Sequence, residues 1–144
     1  VTIALLDLRP IQTNLQSMVG EFVNYVGISA NYQSALIRDA DLPAIIWLYP
    51  LATSIDGGIV NRGPAQTIER FALLVLHRDI NTTPDAGEAL QESVRGIRMQ
   101  AINIVSNTDP EGWFATRYLS GAQRAGGDRL YAWQDEFETR AAQR

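Results

Sequence analysis

The segment Phe71-Ala72-Leu73-Leu74-Val75-Leu76 constrains the fold of this chain more than any other. It lies inside a longer stretch, Gln66 to Arg78, that is too rich in consecutive apolar residues to be one wetted edge of a sheet. A strand has a side-chain period of two, so Phe71, Leu73 and Val75 must face one way while Ala72, Leu74 and Leu76 face the other. An antiparallel sheet with a solvated face alternates apolar with polar, and this one does not. Both faces therefore need a cover. Helices can supply one, and the other falls to more of the same chain or to a neighbouring subunit. Two helices are too few for both faces, so a subunit interface is the preferred reading, with Ala72, Leu74 and Leu76 on it.

The rest of the chain supplies helices and further strands. Leu8, Ile11, Leu15, Met18, Val19, Phe22 and Val26 recur at helical spacing. Asp7 suits the N-cap, Pro10 the first turn and Gly27 the end of that helix. A second short helix is expected from Ser29 to about Ala40, stopped by Pro43. Ala44 to Leu51 is β-branched and aromatic and reads as a strand. A turn-rich loop follows, through Ser54, Asp56, Gly57, Gly58, Asn61, Gly63 and Pro64. Thr83, Pro84 and Asp85 mark the start of the clearest helix, with Ala86, Leu90, Val94, Ile97, Ala101 and Val105 as its buried stripe. Glu88, Glu92, Arg95 and Arg98 fall on its wetter side. Trp113 to Ser120 and Leu130 to Phe137 read as two strands about a Gly126-Gly127-Asp128 turn. In the last strand Tyr131, Trp133 and Asp135 share a face opposite Leu130, Ala132 and Gln134. The tail from Glu138 to Arg144 has no evident anchor.

The expected fold is a single α+β domain over residues 1–144. Its sheet is mostly antiparallel, or mixed, with about four strands and two or three helices packed on one face. An apolar fraction of 46% gives such a chain enough core to fold without staples.

Chemistry is sparse. With no Cys there is no thiolate nucleophile, disulfide or Cys-ligated zinc. His77 is the single histidine, placed at a strand end and read as structural. Neither Gly57-Gly58 nor Gly126-Gly127 has dinucleotide or P-loop spacing, and Asp56-Gly57-Gly58 lacks the acidic positions of a calcium loop. No catalytic residue, cofactor or metal is expected. The net charge of −4 opposes binding to phosphate backbones, and charge signs are dispersed except where Asp135, Glu136 and Glu138 crowd together. Val1 to Leu8 does not resemble a secretion signal, and no apolar run approaches the roughly 18 residues of a membrane span, so a cytosolic or particle-associated protein is expected. Aromatic residues concentrate in the last two strands. Packing explains most of them, and Tyr131 and Trp133 are candidates for interface anchors.

Taken in order, several segments resemble the tail terminator, or tail-completion, proteins of tailed bacteriophages, including the Mu-type group. They are the amphipathic helix to Val26, Leu42-Pro43-Ala44-Ile45, the Gly57-Gly58 loop, the Gln66 to Arg78 strand, the Thr83 to Val105 helix and the aromatic Leu130 to Phe137 strand. The resemblance implies a non-enzymatic homo-oligomer, a hexameric ring, that caps the tail tube, stops its growth and offers a surface for joining the head. Tail tube protein and a head-completion or connector protein are the implied partners. The virion tail end near the head–tail junction is the implied location, after assembly in host cytoplasm. On this likeness the second sheet face and the terminal hairpin contribute to subunit or tube contacts, the Ala52 to Gly63 loop with Asp56, Gly57 and Gly58 faces a partner, and an acidic ring lets DNA pass without sticking. The alternatives are a small ligand-binding or regulatory α+β domain and another ring-forming head–tail connector.

Overall fold

The computed structural model describes residues 5–29, 42–56, 66–78, 86–125 and 130–142. Among these residues two helices, α1 (Arg9–Leu15) and α2 (Ala86–Ser106), accompany five strands: β1 (Tyr25–Ser29), β2 (Ala44–Asp56), β3 (Gln66–Arg78), β4 (Arg117–Ala125) and β5 (Leu130–Ala142). The strands form one sheet in the order β1-β2-β3-β5-β4. Among the described pairs β1–β2 is parallel and the other three are antiparallel, so the sheet is mixed. It has five described strands where about four were expected. The α+β class holds.

The extra strand comes from the N-terminal segment. Leu8, Ile11, Leu15 and Met18 are buried as a helical stripe requires, but α1 stops at Leu15 and tightens into a 3₁₀ turn over Gln16–Met18. Gly20 then takes a left-handed backbone, at φ 91, that residues with a Cβ rarely adopt. Val19 and Phe22 would be buried in a continued helix and are instead 42% and 40% exposed. Val23 and Val26 reach the core from extended chain. Gly27 ends no helix. It lies in edge strand β1 with the Tyr25 ring packed on its α-carbon, where a Cβ would collide. Ser29 closes that strand, and the rest of the expected second helix falls outside the described residues.

β2 runs on to Asp56, so Ser54 and Asp56 are strand rather than loop. Its register against β3 shifts between Leu48 and Ala52, around Pro50, which has no N–H to give to a ladder. β3 spans the expected residues and pairs with β5 without interruption, from Gln66 opposite Ala142 to Arg78 opposite Leu130. The C-terminal stretch Glu138 to Ala142, read from sequence as loose, is therefore anchored strand. The other hairpin strand begins later than expected. Trp113 to Thr116 precede β4, and Phe114 N–H donates to the Arg140 carbonyl at 2.7 Å, extending the contact along β5.

α1 and α2 cover one face. Phe71, Leu73, Val75 and Phe137 from the sheet meet Ile11 and Leu15 from α1 and Val94, Ile97 and Ala101 from α2. Phe71 and Phe137, opposite each other in the register, stack with ring centroids 5.5 Å apart. The other face splits in two. Towards the β1 side Ala44, Ile46, Ala72, Leu74, Leu76 and Ala132 form a second apolar cluster. Ala72, Leu74 and Leu76 have no exposed surface within the single chain. Towards the far end of β3 and β5 the same face becomes polar. No helix among the described residues is long and apolar enough to cross a membrane.

Candidate interaction site

The two-sided apolar pattern does mark a second covered face, but the chain itself closes it. Ala72, Leu74 and Leu76 are already buried within the single chain, so a neighbouring copy is not needed to shield them. Asp56 ends β2, while Gly57 and Gly58 lie outside the described residues. Tyr131 and Trp133 are half-buried on the helix-covered face. They border a cleft of about 360 Å³ that Gln91, Arg95 and Arg98 of α2 complete.

Behind that cleft is a charged network. Asp135 has no exposed surface, because it shares the inward face of β5 with Tyr131 and Trp133. Arg98 answers it with two bonds, Nε to Oδ2 at 3.0 Å and Nη2 to Oδ1 at 2.8 Å. The Tyr118 hydroxyl donates to Oδ1 at 2.9 Å, and burial pushes its own ionisation upward, as does Asp135. The Arg98 guanidinium also lies 4.2 Å from the Trp133 ring centroid. Arg98 was expected on the wetter side of its helix. It flanks the stripe instead, and an acid on a buried strand face was the signal that a cation had to follow. Such a network orients α2 on the sheet.

A second network occupies the polar end of the opposite face. Ala52, Arg70, Glu138 and Arg117 stand in one row across β2, β3, β5 and β4. Glu138, 4% exposed, accepts from Arg70 Nε at 3.2 Å through Oε2, and from Arg117 and Arg140 at 3.3 Å through Oε1. Beside them Arg124 donates to Gln134, which donates to Glu136. The acidic run read from sequence is therefore divided between faces by the strand period, and arginines meet two of its members. Phe114, 55% exposed, borders a cleft of about 250 Å³ beside Arg117, Glu138 and Arg140.

His77 bridges two elements. Its Nε2 lies 3.0 Å from Ser93 Oγ on α2 and its Nδ1 3.2 Å from the Arg78 carbonyl, and burial lowers its pKa. Neutral imidazole satisfies both contacts, donating to the carbonyl and accepting from the hydroxyl. Among the described residues no three His, Asp or Glu side chains are grouped to hold a metal ion.

A model of the family described as phage tail terminator protein matches residues 1–144. The chain belongs to that family. It is accordingly a structural, non-enzymatic protein of the bacteriophage tail, as the resemblance implied. Among solved structures, a chain from the virion of a native gene transfer agent particle is similar, with a TM-score of 0.58, 9% identity and 96% of each chain covered. At that identity the likeness is one of fold. No curated protein matches the chain.

Proposed function

We propose that this tail terminator assembles into a closed homo-oligomeric ring, of six copies by family likeness, on the end of the tail tube. There it stops tube polymerisation and presents the surface to which the head is joined. Its partners are then the tail tube protein on one side and a head-completion or connector protein on the other. Membership of the Mu-type group and assembly in host cytoplasm belong to the same proposal. Its main support is the family match over residues 1–144. The disposition of polar groups agrees: Asp135, Glu138 and His77 are each engaged in bonds that join elements of the fold, which leaves the surfaces as the functional part.

Tube growth tests the proposal. Purified tail tube protein polymerising with the full chain gives tubes whose length stops increasing on its addition. Tubes that lengthen equally with and without the chain contradict it.

A further inference from the structure

The sheet face away from the helices is closed over its apolar half and open over its arginine half. There Arg70 and Arg117 keep 54% and 69% of their side-chain surface exposed while each commits a nitrogen to Glu138. A guanidinium has five N–H donors, so each of these arginines keeps donors beyond those committed to Glu138. Glu138, nearly without exposed surface, holds both in place, and Arg140 shares its Oε1. Arginines fixed in this way lose little rotamer freedom when they meet a further carboxylate.

We infer that this end of the sheet is where one copy of the chain grips the next, with Arg70 and Arg117, positioned by Glu138, receiving carboxylates of a second copy. The inference rests on the ring reading above and adds the surface by which the ring closes. Charge complementarity selects the occupant. The chain carries −4 overall although this patch is cationic, so the remainder of the molecule is net acidic and a second copy can supply the carboxylates. Glu88 is one such carboxylate, exposed on the helix that covers the opposite face. An isologous pair would set arginine against arginine. The patch must meet a different part of its neighbour, the heterologous contact that generates rings when the rotation closes. Exposed Phe114 beside Arg117 favours a protein over a phosphate backbone, since aromatic and arginine side chains together dominate protein contacts. A carboxylate at the centre of the patch also weakens it for nucleic acid.

The test measures the mass of the full chain by sedimentation at increasing salt, for wild type, R70E/R117E and R70Q/R117Q/E138Q. The last variant keeps polar groups in the row without charge and guards against misfolding of the first. The expected result is a wild-type oligomer that dissociates as salt rises. R70E/R117E is then a folded monomer, and the neutral triple variant has a subunit dissociation constant raised by about tenfold or more. Oligomers of wild-type size from the folded triple variant overturn this surface and leave the ring reading standing. A wild-type chain that stays monomeric at every salt and concentration overturns both. Variants that keep the oligomer but lose retention of a random-sequence DNA duplex show a phosphate site instead and overturn the inference.

Discussion

Arg98 of α2 meets the fully buried carboxylate of Asp135 on β5 through two hydrogen bonds of 3.0 and 2.8 Å, the main polar link between the long helix and the sheet. Its placement follows from the strand period, which turns Asp135 inward with Tyr131 and Trp133. Removing the cation strands a buried charge, which typically costs about 3–5 kcal/mol, far more than an exposed ion pair contributes. Arg98→Met is expected to lower unfolding free energy in urea by that order. Adding Asp135→Asn to it should recover part of the loss, a coupling that a double-mutant cycle reads directly.

Gly121 in β4 leaves the space this network occupies. A Cβ at that position would meet Asp135 Oδ1, the Tyr118 hydroxyl and Trp133 Nε1 at once. Gly121→Ala is therefore expected to destabilise by about 1–3 kcal/mol, as overpacking does, although alanine suits a strand better than glycine. Gly96→Ala, where nothing lies within 4 Å of the added carbon, should stabilise α2 instead. Thermal unfolding of the two variants distinguishes them.

Glu69 gives the chain a pH dependence. It is 1% exposed, its Oε1 accepts from Thr53 at 2.9 Å, and its Oε2 has no partner. Burial raises its pKa above the ordinary 4.5, opposed in part by the Thr53 bond. The folded state then holds a proton that the unfolded chain releases, so this contribution is fully present below pH 4.5. It is lost as pH rises through the folded pKa. Glu69→Gln should match wild type at low pH and exceed it in melting temperature at neutral pH. Melting curves across pH 4 to 8 check this, the range spanning the window about Glu69's ordinary value.

Leu74 tests how the second face is closed. With no surface exposed in the single chain, Leu74→Ala should lose about 2–5 kcal/mol and Leu74→Asp should unfold the protomer. A folded monomeric Leu74→Asp protein would return this face to the subunit interface. Circular dichroism with light scattering reads both outcomes.

Periodicity revealed most of the sheet because it reports burial directly. β3 was legible to its end residues, as were the inward faces of β5 and α2. What escaped were places where burial and local geometry part company. Leu15, Met18 and Val26 keep helical spacing across a 3₁₀ turn, a left-handed Gly20 and a strand, since each reaches the same core from different backbone. Apolarity on both faces of β3 correctly signalled two covers but cannot say which molecule provides the second. The charged networks were least visible. Glu138 pairs with Arg70 and Arg117, 68 and 21 residues away, and only the register brings them into one row.

Imaging tail-tube ends decorated with the purified chain tests most directly whether this tail terminator works by assembly. Class averages should show a closed ring of identical subunits, seated coaxially on the tube and ending it, with the arginine-bearing sheet face at the boundary between neighbours. Single protomers bound along the tube wall, or bare tube ends in the presence of saturating chain, would contradict a terminator that acts as a ring.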